Sequence, residues 1–260
     1  LNGSSGSFGT RDGFRAQYCP WSSFKDQITS GVFQGHIAIK ECMDDMFRDY
    51  KHLRSIDFGS IDTSAVSSMS GLFAGCSSLT AVDLSTFDTR TINSYGFSLF
   101  EGCSSLTKIT FGKLVTFSDS NARILIDLPD NSTTGRWVSS ADGVAYENDG
   151  VPLGVAATYT PQTPDSIKGS WNQCGSCLWK LDDSGTLNIK PQHGNKGVLS
   201  NGFAGYSQNS DTYAWLRLRN QIKKVKITDG VSTGADASYL FNGCSNLISI
   251  NIEALDTSNA

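Results

Sequence analysis

Leu72-Phe73-Ala74-Gly75-Cys76-Ser77-Ser78-Leu79-Thr80-Ala81-Val82-Asp83-Leu84 returns 27 residues later as Leu99-Phe100-Glu101-Gly102-Cys103-Ser104-Ser105-Leu106-Thr107-Lys108-Ile109-Thr110-Phe111. A looser copy, Met46-Phe47-Arg48-Asp49-Tyr50-Lys51-His52-Leu53-Arg54-Ser55-Ile56-Asp57-Phe58, precedes it by 26 residues. The fourth is Leu240-Phe241-Asn242-Gly243-Cys244-Ser245-Asn246-Leu247-Ile248-Ser249-Ile250-Asn251-Ile252. Three of the four are followed by a matching turn: Ile61-Asp62-Thr63-Ser64, Phe87-Asp88-Thr89-Arg90 and Leu255-Asp256-Thr257-Ser258. Copies at a nearly constant step mark a repeat architecture, in which each unit buries its apolar face only against its neighbours.

Within one copy the alternation at the end is that of a half-buried strand, with Leu79, Val82 and Leu84 inward and Ala81 and Asp83 outward. The preceding Leu/Met-Phe-x-Gly-Cys-Ser-Ser is expected to form one or two helical turns, ended by Gly75, Gly102 or Gly243 in the left-handed region. Asp-Thr-Ser/Arg is turn chemistry, the side-chain oxygens bonding nearby backbone N–H groups. Stacked copies set Phe over Phe, Leu over Leu and Cys over Cys. These features predict a β-rich solenoid of leucine-rich-repeat type, with one short strand and a short helical turn per roughly 26 residues and β-hairpin caps.

A longer repeat contains the short one. A shift of 194 residues puts Trp21 on Trp215, Gln27-Ile28 on Gln221-Ile222, Phe47 on Phe241 and Asp62-Thr63-Ser64 on Asp256-Thr257-Ser258. Two tandem modules are therefore expected, 1–160 and 161–260. The first divides into an N-terminal β flank (1–40), the repeats (41–117) and a C-terminal cap (118–160) that carries Asp142-Gly143. The second divides into a hairpin cap (166–190), turning at Asp182-Asp183-Ser184-Gly185, and a flank with the first repeats (191–260). Two prolines, Pro161 and Pro164, predict an extended linker at the boundary. The chain reads as starting inside one module and stopping inside the next, a stretch of monomeric modules from a longer array.

The composition agrees with a turn-rich, β-rich chain. Ser, Thr, Asn and Gly supply 97 of 260 residues, while hydrophobic residues are 38% and charged residues 18%, against roughly 45–50% and 25% in ordinary globular proteins. A net charge of −4 and a pI near 5.3 argue against nucleic acid as a partner. No apolar run is long enough to span a membrane, and no signal peptide is read at the start.

The combination of Phe-x-Gly-Cys-Ser-Ser-Leu-Thr, Phe-Asp-Thr, Gly-x-Cys-x-Trp…Gly-Thr-Leu-x-Ile and Gly-x-Trp…Asp-Gly…Thr-Tyr-Thr resembles the BspA-like leucine-rich repeat surface proteins, with DUF285-type repeats. That resemblance implies a secreted, extracellular protein of the bacterial cell wall, used for adhesion to host matrix proteins or to other cells. It implies no catalytic residue and no cofactor. The chain departs from the pattern where Asp49-Tyr50 replaces Gly-Cys and where a residue is inserted at Tyr95-Gly96-Phe97. The alternative is a set of accessory or spacer modules of a larger secreted carbohydrate-active enzyme.

Candidate chemistry is sparse. Cys174-Gly175-Ser176-Cys177 precedes a strand-like segment rather than a helix and has no second ligand pair nearby, which points to a local disulfide or a buried structural pair instead of redox or zinc chemistry. Cys76, Cys103 and Cys244 share a position that Tyr50 also fills, so they read as packing residues. His36, His52 and His193 are far apart and read as surface residues. The outward strand positions Asp57, Asp83, Lys108, Thr110 and Asn251 are the binding candidates, read either as a weak cation or polar-ligand site or, the favoured reading, as a solvated polar ladder. Asp57 and Asp83 are expected as neighbours on adjacent rungs, about 4.8 Å apart. Five positive charges between Arg217 and Lys226 suggest a strand with one basic face, which either touches acidic polysaccharide or guards a solvated sheet edge; the edge is favoured.

Overall fold

The computed structural model describes residues 6–8, 19–40, 42–92, 98–116, 128–129, 135–147, 151–199, 213–235 and 237–260. The insertion at Tyr95-Gly96-Phe97 and much of the 118–160 segment lie outside them. Backbone contacts divide the chain into two units, residues 1–142 with 146–162 and residues 143–145 with 163–260.

In the first unit the alternating segments become short strands. These are β1 (Gly6–Phe8), β2 (Ser30–Val32), β3 (His36–Ile39), β4 (Ser55–Asp57), β5 (Ser60–Asp62), β6 (Ala81–Leu84) and β7 (Lys108–Phe111). They are followed by β8 (Arg136–Ser139), β9 (Ala145–Glu147) and β10 (Ala157–Pro161). Copies of the repeat meet side by side and parallel: β6 lies on β7 in register, Ala81 to Lys108 through Leu84 to Phe111. β2 pairs with β4, and β3 lies between β1 and β5, all parallel.

The second unit holds α1 (Pro164–Ile167), β11 (Asn172–Cys174), β12 (Cys177–Leu181), β13 (Thr186–Pro191) and β14 (Gly197–Leu199). It continues with β15 (Lys224–Ile227), β16 (Val231–Thr233), β17 (Ser249–Ile250) and β18 (Leu255–Asp256). β12 and β13 form an antiparallel hairpin that turns at Asp182–Gly185. β14, β16 and β18 make a small parallel sheet.

The expected solenoid does not form. The strands lie in mixed parallel and antiparallel order, β8-β10-β7-β6 in the first unit and β17-β15-β13-β12-β11 in the second. The only α-helix among the described residues is the single turn α1, which lies in no repeat and starts at Pro164, where a missing N–H does no harm. The hairpin β12–β13 is an inner part of the sheet rather than a cap.

Backbone hydrogen bonding explains why the Phe-x-Gly-Cys segments are turns and not helix. A helix would send their N–H groups four residues back along the chain. Here Phe47 and Asp49 N–H donate instead to Leu72 and Ala74 carbonyls, at 3.0 and 2.7 Å. Phe73 and Gly75 N–H donate in the same way to Leu99 and Glu101, at 3.1 and 2.7 Å. With those donors committed to the next copy, a helix has nothing to propagate with. Gly75 closes its turn at φ 78°, and Asp49 takes the same left-handed conformation at φ 61°, which Asp tolerates better than most residues.

Side chains tie the copies together along the same direction. Trp21, Phe47, Phe73 and Phe100 form a column with centroids 6.3, 5.8 and 5.7 Å apart and planes within 17°, 9° and 1° of parallel. All but the partly buried Trp21 are buried. Each buried Phe removed from water contributes on the order of 1.5–3 kcal/mol. The Cys76 and Cys103 thiols donate to the Phe47 and Phe73 carbonyls at 2.9 and 3.1 Å. Thr63 Oγ1 accepts from the Asp88 amide at 2.8 Å and donates to the Asp88 carbonyl at 3.1 Å, so one buried hydroxyl replaces a backbone ladder.

The segment Tyr159–Pro161, expected as a linker, is the end of β10, a strand antiparallel to both β7 and β8. Tyr159 is fully buried with its ring 5.6 Å from Phe111. The apolar gain of seating Tyr159 overrides the turn signal of the prolines, and Pro161 sits at the strand's last position, where a missing donor costs little.

Candidate functional site

Three of the five candidate binding residues come together on β6 and β7. Parallel register sets Ala81 beside Lys108 and Asp83 beside Thr110. Asp83 and Lys108 are exposed; Thr110 is half-buried, with its hydroxyl 3.0 Å from that of Thr158 on β10. Asp57 is exposed at the end of β4, whose partner is β2, with Val32 opposite Asp57. Among the described residues no hydrogen-bonded ladder joins β4 to β6, but the two strands are in contact, and just ahead of them the Thr80 N–H donates to the Arg54 carbonyl at 3.2 Å as the Thr107 N–H does to the Thr80 carbonyl at 2.9 Å.

Both carboxylates have a local duty. Asp57 accepts from the Gly59 amide at 2.9 Å, and Asp83 from the Ser85 amide at 2.8 Å, each closing the turn that ends its strand. The outer oxygens remain at the surface on a face of small polar side chains. The fifth candidate, Asn251, belongs to the second unit. Its amide donates to the Ile227 carbonyl at 2.8 Å and accepts from the Ile227 N–H at 2.7 Å, continuing the β15–β17 pairing through a side chain. That role needed the register of two strands 24 residues apart, which no local pattern carries.

The cysteines are set for packing. Burial pushes the Cys76, Cys103 and Cys177 thiols up to about 12, away from the thiolate that nucleophilic or redox chemistry requires. Cys174 and Cys177 are buried register partners at the β11–β12 turn. His36, His52 and His193 are all exposed. Among the described residues no group of three or more His, Cys, Asp or Glu side chains is placed to hold a metal ion, and no helix is long and apolar enough to cross a membrane.

The basic segment corrects the sequence reading. Lys224 and Lys226 stand on β15, which is paired on both sides, to β13 and to β17. It is an interior strand, so edge protection does not account for its charges.

A search of curated proteins and of solved structures finds no match to the chain. Residues 31–121, which contain β3 to β7 and with them Asp57, Asp83, Lys108 and Thr110, match the family model described as "Mycoplasma protein of unknown function, DUF285".

Proposed function

We propose that this is a non-enzymatic bacterial cell-surface protein of the BspA-like kind, which adheres to host matrix proteins or to other cells through the exposed face around β6 and β7. The observation that carries this reading is the match of the DUF285 model to residues 31–121, the stretch that presents Asp83, Lys108 and Thr110 side by side. Supporting it, the Cys76 and Cys103 thiols and the Asp57 and Asp83 carboxylates have structural work: the thiols donate to neighbouring carbonyls and the aspartates close turns. A face of short polar side chains suits a broad protein contact, in which no single residue dominates.

The test is surface plasmon resonance of the 260-residue chain over immobilised fibronectin, fibrinogen, laminin and collagen, and over whole epithelial cells. Saturable binding that is weakened by Asp83→Lys with Thr110→Lys is the expected result. Failure to bind any surface, or binding that the double variant leaves unchanged, contradicts the reading.

A further inference from the structure

Lys224 and Lys226 alternate along β15 with the buried Val225 and Ile227. The ladders extend this alternation across the second unit. Lys226 is opposite Asn188 on β13, and Asn188 is opposite Lys180 on β12. Lys224 is opposite Thr186, and Lys190 of β13 is opposite Leu178. Lys180, Lys190, Lys224 and Lys226 therefore share one face of the sheet, while Trp179, Ile189, Val225 and Ile227 fill the core on the other. Strands are about 4.8 Å apart and alternate residues about 6.6 Å, so the four charges stand roughly 7–15 Å from one another.

Among the described residues none of the four lysines is in an ion pair. The carboxylate on the same side, Asp182, is occupied: it accepts from the Ser184 and Thr186 amides, the Ser184 hydroxyl and the Asn188 side-chain amide, and so closes its own turn. Lys190 reaches Trp171, its ammonium 4.3 Å from the ring centroid. On this solvated face the four like charges, two of them exposed and two half-buried, are largely screened at physiological salt and repel mainly at low salt, where they lack a counterion of fixed position. An anionic polymer supplies one.

We propose that this lysine face of the second unit binds an extended acidic polysaccharide, its carboxylates set against Lys180, Lys190, Lys224 and Lys226. Spaced single cations match a polymer that carries one charge per sugar. Thr186 stands beside Lys224 on β13 and Ser249 flanks it on β17, neutral polar side chains of the sort that meet sugar hydroxyls. A nucleic acid fits less well, because its denser charge calls for a more extended basic surface than four lysines on a chain of net charge −4. This face shares no residue with the one around β6 and β7, and either reading can fail alone.

The experiment is biolayer interferometry of the full 260-residue chain on immobilised polygalacturonate, with neutral dextran and duplex DNA as parallel surfaces, at 50 and 150 mM salt. Binding to polygalacturonate that weakens with salt is expected, with no binding to dextran and weaker binding to DNA. Lys224→Gln with Lys226→Gln lowers that affinity by about tenfold and reduces the salt slope by about two. Lys51→Gln with Lys113→Gln, exposed lysines of the first unit, leaves it unchanged. Matching thermal melts of all three proteins show that loss of binding is not loss of fold. No binding to polygalacturonate overturns the proposal, as does equal binding to dextran, equal or tighter binding to DNA, or no effect of the Lys224/Lys226 variant.

Discussion

The same rung stands in two settings. In the first unit Phe73, Cys76 and Leu79 are fully buried and Val82 nearly so, with Phe73 held between Phe47 and Phe100. Their counterparts in the second unit, Phe241, Cys244, Leu247 and Ile250, are only partly buried against that unit's core. The residue types are nearly identical, so burial is a property of the neighbours and not of the rung. Phe73 packs between two neighbouring copies, while within these 260 residues Phe241 to Ile250 pack only against the second unit's core.

The largest consequence concerns the aromatic column. Phe73→Ala removes a ring stacked on both faces and is expected to cost about 3–5 kcal/mol, while Phe241→Ala costs about 1–2 kcal/mol. Urea unfolding of the two variants, followed by tryptophan fluorescence, measures the gap; equal losses break the comparison. Next come the threonines that follow the aspartate of each turn. Thr63→Val strands the half-buried Asp88 N–H and should cost about 1–2 kcal/mol. Thr257, its counterpart, is exposed, and Thr257→Val should stay within about 0.5 kcal/mol. The same urea series reads both.

The smallest effect is on pH dependence. Bonding to Arg90 holds the Asp88 carboxyl below the ordinary aspartate range, the Ser64 hydroxyl does so for Asp62, and the Ser258 amide does so for Asp256. The unfolded chain takes up protons first, so the stability these groups add is complete above the ordinary range and is lost as pH falls through the folded values. Asp88→Asn should flatten the acid limb of the stability curve slightly. A steeper limb in that variant would contradict the assignment.

What could be read from the chain follows the range of the forces. The split of Leu79, Val82 and Leu84 inward from Ala81 and Asp83 outward is local, and the structure shows it. The turn at Asp182–Gly185 is local as well. The helical turns were misread because their N–H groups bond to carbonyls about 25 residues away, an outcome that Phe-x-Gly-Cys cannot signal. Trp21 joins the phenylalanine column from outside the repeat. Lys224 and Lys226 looked like an edge because β17 reaches them from beyond a 21-residue crossover. Within the candidate site, the outward positions of Asp83 and Lys108 were legible, but Asn251's turn toward the Ile227 backbone was not.

Cysteine labelling tests the comparison most directly, because Cys76, Cys103 and Cys244 occupy one position in three copies. Burial pushes the Cys76 and Cys103 thiols up to about 12, which disfavours their thiolates, and the chain shields them too; burial also raises the Cys244 thiol, but the Arg219 charge opposes it there. Cys244 is only half covered. Native alkylation with iodoacetamide at pH 8, read residue by residue by mass spectrometry, should modify Cys244 well before Cys76 and Cys103. Equal rates at all three would contradict the claim that neighbouring copies, rather than the rung itself, make the core.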